Sequence, residues 1–192
     1  VPVMDIIKKN THKIIGDRAY SNDIKTIKSL ATICSKVYQK NKIATVIKHI
    51  PGHGSSSSDS HIKMPIVNHS YQILSKNDFK CFKNINSHFA MTAHILFKKI
   101  DPNNVVTHSK KIIEKIIRKK IGFKGILISD DISMKALKND IITNSKKSLK
   151  AGCNLVLYCS GKHSESLKLL KEMPFIDSFT EKKTSEFYKF LS

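Results

Sequence analysis

Short runs of apolar, often β-branched residues alternate along this chain with longer stretches in which apolar residues recur every three or four positions. The short runs predict five β-strands, over residues 1–5, 43–48, 88–94, 125–130 and 154–159. The longer stretches predict helices over residues 23–40, 75–84, 109–120 and 144–151, with Gly152 ending the last of them. Strands that are apolar throughout and separated by helices are typical of a parallel sheet covered by helices, so the pattern predicts an α/β fold.

Polar side chains follow the predicted strands at the point where each strand ends. They are Lys48, His49, Thr92, His94, Asp130, Asp131 and Ser160. Parallel strands share one carboxyl edge, and the active sites of α/β barrels and of doubly wound sheets are built from the loops at that edge. We therefore expect the chemistry there. The periodicity by itself does not distinguish a barrel from an open sheet.

The loop over residues 48–61 has a dense polar cluster, with two glycines, three histidines, a lysine and an aspartate. Asp59 and His61 are two residues apart, so the loop can bring their carboxylate and imidazole together. A nearby carboxylate favours the protonated imidazole, which suits His61 for proton donation near neutral pH. A second interpretation stays open, a divalent metal site formed from His49, His53, Asp59 and His61.

Two further strand ends carry candidate site residues. Asp130 ends the apolar run 125–129, where its carboxylate can act as a nucleophile, a general base or a metal ligand, the alternative being a structural cap. Asp131 can cap a helix over residues 133–138. Lys48 and His49 end a buried strand, an unusual place for a lysine unless its ammonium group binds sugar hydroxyls or an anionic group.

Length and composition indicate a globular domain. The 192 residues are 40% hydrophobic, with a mean hydropathy of −0.25, which suits one domain over residues 1–192. No apolar stretch approaches the ~20 residues that span a bilayer, and residues 1–9 lack the pattern of a signal peptide, so we expect no membrane association and a cytoplasmic location. The four cysteines form no Cys-x-x-Cys pair, which predicts buried or partly buried free thiols.

The formal charge of +19 raises the question of nucleic-acid binding, because clustered basic residues displace counterions from phosphates. Only Arg18 and Arg118 among the 34 basic residues are arginine, the side chain best suited to phosphate and base recognition. The lysines are spread almost evenly along the chain. This distribution favours a solvated lysine surface over a nucleic-acid site.

The segment over residues 48–65, Lys-His-Ile-Pro-Gly-His-Gly followed by four serines, Asp-Ser-His and Met-Pro, resembles the signature of bacterial β-N-acetylglucosaminidases of glycoside hydrolase family 3. Other segments resemble family motifs in the same order: residues 2–5, 15–21 with Gly-Asp-Arg, 91–94 with Met-Thr-Ala-His, and 129–134 with Ser-Asp-Asp-Ile-Ser-Met. The resemblance covers residues 2–159. It implies a (β/α)8 TIM-barrel fold, here an incomplete barrel of about five βα units that lacks its N-terminal strands.

The resemblance also implies an activity and roles for particular residues. The family members are retaining exo-enzymes that remove terminal N-acetylglucosamine from muropeptides in peptidoglycan recycling, with no cofactor and no metal. Asp130 would be the nucleophile that forms a glycosyl-enzyme, and His61 the acid/base, oriented by Asp59. Arg18, Lys48 and His49 would bind the hydroxyls of the terminal sugar.

The chain departs from the family pattern in two places. It has no counterpart of the family's Asp-Gln-Glu-Gly-Gly-Arg segment, and the family's Ala-Gly-x-Asp is Ala-Gly-Cys-Asn over residues 151–154. We therefore expect an open sheet edge, covered by self-association or by a separate N-terminal piece. The alternatives to an active glycosidase are a catalytically inactive remnant or half of a split enzyme, and a lysine-rich nucleic-acid-binding protein.

Overall fold

The computed structural model describes residues 1–9 and 11–192 and has a parallel β-sheet at its centre. The strands are β1 (Val46–Ile50), β2 (Ile66–Val67), β3 (Phe89–Thr92), β4 (Leu96–Phe97), β5 (Ile126–Asp131) and β6 (Leu155–Leu157). The central sheet has the order β1-β3-β5-β6, all parallel, and β2 pairs with β4 in a separate small sheet. Because the strands are parallel, their carboxyl ends lie along one edge of the sheet.

Helices connect and cover the strands. They are α1 (Ile24–Lys40), α2 (Tyr71–Lys76), α3 (Asp78–Phe82), α4 (Lys110–Ile112), which continues as a π-helix over Ile113–Ile121, α5 (Ile141–Ala151), α6 (His163–Glu172) and α7 (Ser178–Leu191). Two 3-10 turns, Gly16–Arg18 and Val106–His108, lie in the connections. Among the described residues no helix has both the length and the apolar character to cross a bilayer.

The five predicted strands are present, the first in reduced form. Residues 1–4 run parallel to β1 through a single bridge between Val3 and Lys48, with the Met4 N–H donating to the Lys48 carbonyl at 2.7 Å. The fold therefore contains five parallel extended segments, as expected from the apolar pattern. A hydrophobic cluster between the sheet and its helices includes Ile47, Ala90 and Leu127, one from each of three neighbouring strands.

The predicted helices differ in detail from the observed ones. The stretch 75–84 is divided between α2 and α3 at Asn77, where the backbone departs from helical geometry. The side-chain amide of Asn77 donates to the Ile73 carbonyl. The expected helix over residues 133–138 is absent, and those residues form turns. Asp131 instead accepts hydrogen bonds from the backbone N–H and hydroxyl of Ser133, so the capping carboxylate closes a turn. Gly152 ends α5 with a φ of +115°, as predicted.

The helix α1 is capped at its N-terminus by Asp23, whose carboxylate accepts from the Thr26 N–H at 2.8 Å. Ile27 and Ala31 are fully buried against the core, whereas Leu30, Ile33 and Val37 are exposed. The predicted amphipathic helix is therefore present, and part of its apolar face has no cover within the described residues.

The four cysteines are free, and three of them fit the prediction of buried or partly buried thiols. Cys81 and Cys153 are buried, and burial raises the pKa of each thiol to about 12, so both stay protonated. Cys34 is partly buried, whereas Cys159 is exposed after β6, contrary to the prediction, because the chain leaves the sheet there.

Acidification is expected to destabilise the fold through its buried histidines. Burial lowers the pKa of His53 and His94, and it lowers the pKa of His108 to about 4. The unfolded chain then binds the proton first as the pH falls below about 6.5, so the free energy of unfolding decreases from there towards pH 4.

We expect His108→Gln to reduce the difference in unfolding free energy between pH 7 and pH 5 by about 1 kcal/mol, after allowing for solvent screening. Urea unfolding at the two pH values measures it. His69→Gln, at an exposed position, is the control, and an unchanged difference in His108→Gln would contradict the assignment.

Candidate active site

A cavity of about 150 Å³ lies at the carboxyl edge of the central sheet. Its lining includes six residues that the sequence nominated: Arg18, Lys48, His49, His53, His61 and Asp130. Ile14, Ile15 and Ser60 complete the lining, and the nominated Asp59 lies outside it. Larger cavities of about 480 and 530 Å³ lie elsewhere and contain none of the predicted site residues, so we place the chemistry in the smaller one.

Asp59 and His61 form the expected pair. The Nδ1 atom of His61 lies 2.9 Å from Asp59 Oδ1, and the backbone N–H of His61 donates to the same oxygen at 2.8 Å. Burial tends to raise the pKa of Asp59, but these hydrogen bonds and the imidazole charge outweigh it and lower the pKa. An ionised carboxylate only accepts hydrogen bonds, so the His61 proton on Nδ1 points at Asp59 and Nε2 is left for chemistry.

The loop that carries this pair is tied down at several points. The buried carboxylate of Asp78 accepts from the Ser55 N–H at 2.9 Å and from the Lys8 ammonium at 2.6 Å. The Thr11 hydroxyl donates to the Gly54 carbonyl at 2.6 Å, and the Ala136 N–H donates to the Ser60 carbonyl at 3.1 Å. The loop backbone is therefore held before the Asp59–His61 pair, at Gly54 and Ser55, and between its two members, at Ser60.

Gly54 is required where this loop passes the N-terminal segment. A Cβ atom at Gly54 would lie 2.0 Å from the Ile6 carbonyl oxygen, so Gly54→Ala must displace backbone. We expect a loss of about 3 kcal/mol of unfolding free energy, the range of a steric overlap in a packed region. Chemical denaturation measures it, with Ser57→Ala at an exposed position of the same loop as the control. Equal stability of the two variants would show that the loop is not packed as described.

Asp130 lies at the carboxyl end of β5, as the apolar pattern predicts. One of its oxygens accepts from the backbone N–H of Asp131 at 2.9 Å, and its side chain lines the cavity. The backbone behind it is held by His94, which is fully buried and contacts the Asp131 carbonyl oxygen through Nε2 at 3.0 Å and the Thr107 hydroxyl through Nδ1 at 2.7 Å. Asp130 is thus presented to the cavity from a fixed strand end.

Basic residues supply the remaining polar lining. Arg18 is the last residue of the 3-10 turn Gly16–Arg18, and its Nε–H donates to the Ile14 carbonyl at 2.8 Å. The terminal amino groups of its exposed guanidinium make no intramolecular hydrogen bond among the described residues. The sequence predicts that Lys48 and His49 end the strand, but β1 continues to Ile50, so both lie within it, with Lys48 half-buried and His49 buried. These three side chains line the cavity together with Asp130.

The metal interpretation of the loop gains no support from the described residues, which contain no group of three or more His, Cys, Asp or Glu side chains arranged to hold an ion. His49 and His53 are adjacent, with ring centroids 5.8 Å apart, but Asp59 and His61 pair with each other. The arrangement suits proton transfer and nucleophilic attack.

One site residue escaped the sequence reasoning as a functional candidate. It is Asp5, which is fully buried and accepts hydrogen bonds from His49 and His53. His94, which the strand-end pattern did nominate, supports the Asp131 backbone. The available signal for Asp5 was a carboxylate at the end of an apolar N-terminal run, the same signal that identified Asp130.

The comparison with protein families decides the classification. The model of the glycosyl hydrolase family 3 N-terminal domain matches residues 1–183. This chain belongs to glycoside hydrolase family 3. Its parallel segments and helices correspond to part of the TIM-barrel-like domain of that family, which agrees with the incomplete barrel expected from the sequence.

Curated relatives of this family 3 chain bear the name β-hexosaminidase. The protein from Methylobacillus flagellatus is 32% identical over 164 residues, which are 83% of this chain and 46% of the relative. The protein from Haemophilus influenzae is 32% identical over 184 residues, 90% of this chain and 52% of the relative. The chain thus spans about half the length of the curated relatives it matches.

Solved structures agree with the family assignment. A family 3 β-N-acetylglucosaminidase from Paenibacillus superposes with a TM-score of 0.85 at 25% identity, over 99% of this chain and 38% of that one. Native NagZ from Neisseria gonorrhoeae gives a TM-score of 0.85 at 25% identity, over 100% of this chain and 55% of that one. The family 3 fold is therefore shared along the whole of the chain.

Proposed function

We propose that this family 3 domain is a retaining exo-β-N-acetylglucosaminidase. The observation that supports the proposal is that a strand-end carboxylate, Asp130, and an imidazole, His61, line one cavity with basic residues, and that His61 is paired with the carboxylate of Asp59. Retaining hydrolysis needs a nucleophile and a group that first donates and later accepts a proton. The names of the relatives support N-acetylhexosamine as the sugar.

The proposed reaction has two steps. In the first, an Asp130 oxygen attacks the anomeric carbon, the bond from that carbon to the leaving oxygen breaks, and His61 Nε2–H gives its proton to that oxygen. In the second, water attacks the same carbon, His61 takes the water proton and the Asp130 carboxylate leaves. The carboxylate of Asp59 accepts from His61 Nδ1–H throughout, which keeps Nε2 as the nitrogen that exchanges the proton.

The natural substrate is proposed as a muropeptide with a terminal N-acetylglucosamine. Arg18 and Lys48 would donate to the hydroxyls of that sugar and His49 would bind a hydroxyl through Nε2, since all three line the cavity together with Asp130. The origin of the substrate in peptidoglycan, and the cytoplasmic location, stay predictions.

The experiment follows hydrolysis of 4-nitrophenyl N-acetyl-β-glucosaminide by the protein, with the product anomers resolved by proton NMR. We expect 4-nitrophenol release with the β-anomer of N-acetylglucosamine appearing first, and no turnover of the α-linked substrate. The α-anomer appearing first would overturn the double-displacement mechanism. Folded protein without any turnover would favour the alternative, an inactive remnant or half of a split enzyme.

The proposal of a covering partner concerns a different surface. Within the described residues, the segment 1–4 pairs with β1 alone, and Leu30, Ile33 and Val37 of α1 are exposed. A second copy or a separate N-terminal piece at this edge stays a prediction.

A further inference from the structure

Asp5 is a buried carboxylate at the back of the candidate cavity, and the two-step reaction assigns it no part. Its side chain has no exposed surface. One oxygen lies 2.7 Å from His49 Nδ1, and the other accepts from the His53 N–H at 2.6 Å. The backbone N–H of His49 also points at the carboxylate, at 3.2 and 3.3 Å from its oxygens. Three donors from two cavity-lining histidines thus converge on one side chain.

These contacts keep Asp5 ionised. Burial, the largest effect, tends to raise the pKa of Asp5, but the charge and hydrogen bond of His49 and the contacts from His53 outweigh it and lower the pKa. An ionised carboxylate has no proton to donate, so the hydrogen atom between Asp5 and His49 belongs to His49 Nδ1. That fixes the tautomer and the ring plane of His49, and leaves Nε2 as the nitrogen that can meet a ligand.

The position of the neighbouring His53 depends on the same carboxylate, because the backbone N–H of His53 donates to Asp5. Its ring lines the cavity and is 3% exposed, and its Nδ1 atom is enclosed without a hydrogen-bond partner among the described residues. The ring meets that of His49 edge-on, with centroids 5.8 Å apart. A shift of the His53 backbone would therefore move both rings, since they pack against each other.

We propose that Asp5 is a positioning residue for sugar binding, which acts through His49 Nδ1 and the His53 backbone to hold both imidazoles against the terminal sugar. This inference rests on the proposed function, because it assumes that the cavity takes a sugar. The geometry is that of the Asp59–His61 pair, repeated on the binding side of the cavity: each pair joins a carboxylate oxygen to Nδ1 at 2.7 or 2.9 Å. In both pairs Nε2 is the ring nitrogen left for the substrate.

Steady-state kinetics test the role of Asp5 with Asp5→Asn. The amide has the shape of the carboxylate but places an NH₂ group against one of three N–H donors, so His49 loses its fixed orientation. We expect KM for 4-nitrophenyl N-acetyl-β-glucosaminide to rise by about 10-fold to 100-fold, with a change of less than about 5-fold in kcat. A KM within twofold of the unsubstituted protein, in an Asp5→Asn variant that folds, would overturn the proposal and leave the proposed function intact.

Asp78→Asn is the matched control. Asp78 is also a buried aspartate, at 1% exposure, and it also anchors the histidine-rich loop. Its hydrogen-bond partners among the described residues are Ser55 and Lys8, and none is a cavity histidine. We expect it to lower the unfolding free energy and to leave KM within about twofold. A rise in KM as large as that of Asp5→Asn would show that loop stability alone sets KM, which would overturn the specific role of Asp5.

Nitrogen-15 NMR of the histidine rings separates failure of this inference from failure of the proposed function, because it needs no turnover. We expect the His49 ring, assigned by the loss of its signals in His49→Gln, to show a protonated Nδ1 in the unsubstituted protein. In Asp5→Asn we expect a mixture of tautomers. A His49 ring that carries its proton on Nε2 alone in the unsubstituted protein would overturn the proposal, whether or not the protein hydrolyses the substrate.

Discussion

Asp130→Asn is expected to decrease kcat/KM for 4-nitrophenyl N-acetyl-β-glucosaminide by at least about 10⁴-fold, the size of effect seen when a covalent nucleophile is removed. The amide oxygen is a poor nucleophile and cannot form the ester-type linkage of a glycosyl-enzyme. The fold should be unchanged, because the Asp130 side chain bonds only to the neighbouring Asp131 N–H among the described residues, a contact that an amide oxygen also makes. Activity measurements, with circular dichroism to verify folding, give the result.

Asp131→Asn provides the comparison at the adjacent carboxylate. Asp131 accepts from Ser133 and from the Cys159 N–H, so it holds the turn after β5 and does not line the cavity. We expect this variant to lose stability but to keep activity within about tenfold, the range of an indirect effect. If Asp131→Asn were inactive and Asp130→Asn active, the roles of the two aspartates would be exchanged.

A slow-reacting 5-fluoro glycosyl fluoride of N-acetylglucosamine provides an independent test of the nucleophile. Attack by Asp130 releases fluoride and leaves the sugar bound to the protein, because the ring fluorine slows the second step. Mass spectrometry of proteolytic fragments is expected to locate the sugar on Asp130. A sugar located on another carboxylate would reject Asp130 as the nucleophile even if its substitution abolished activity.

The parts of this site that the sequence could predict are those set by local spacing. Asp130 ends an apolar strand, and the two-residue spacing of Asp59 and His61 lets one turn of backbone form their hydrogen bonds. Asp5 could not be paired with His49 in this way. The two are 44 residues apart, and their contact depends on residues 1–4 running parallel to β1, which periodicity does not specify.

The C-terminal region illustrates the same limit. Residues 174–192 have too little pattern for a sequence-based assignment, yet α7 forms over Ser178–Leu191. Asn154, a departure from the family's aspartate, contributes to its attachment: its side-chain oxygen accepts from Arg118 and its amide donates to Thr180. An aspartate at this position would have to accept from the Thr180 hydroxyl instead. Asn154 therefore has a structural role at a distance from the candidate cavity.

His61→Ala is expected to have an effect that depends on the leaving group, which distinguishes a general acid from a residue that only binds. For a poor leaving group, such as the second sugar of N,N′-diacetylchitobiose, we expect kcat/KM to fall by about 10²-fold to 10⁴-fold, the usual contribution of proton transfer. For a 2,4-dinitrophenyl glycoside the fall should be less than about tenfold, since that phenolate departs without a proton. His69→Ala, at an exposed position outside the cavity, should match the unsubstituted protein on both substrates.

The second half of the reaction gives a further measurement on the same variant. Without His61 no base takes the proton of the attacking water, so the glycosyl-enzyme accumulates on the dinitrophenyl substrate and its breakdown limits kcat. Azide is already an anion and needs no base, so added azide should restore kcat of His61→Ala and yield the β-glycosyl azide, while leaving the unsubstituted protein almost unaffected. Equal losses on both leaving groups and no rescue by azide would mean that His61 is not the acid/base, and the Asp59–His61 pair would then have to be assigned a role in binding.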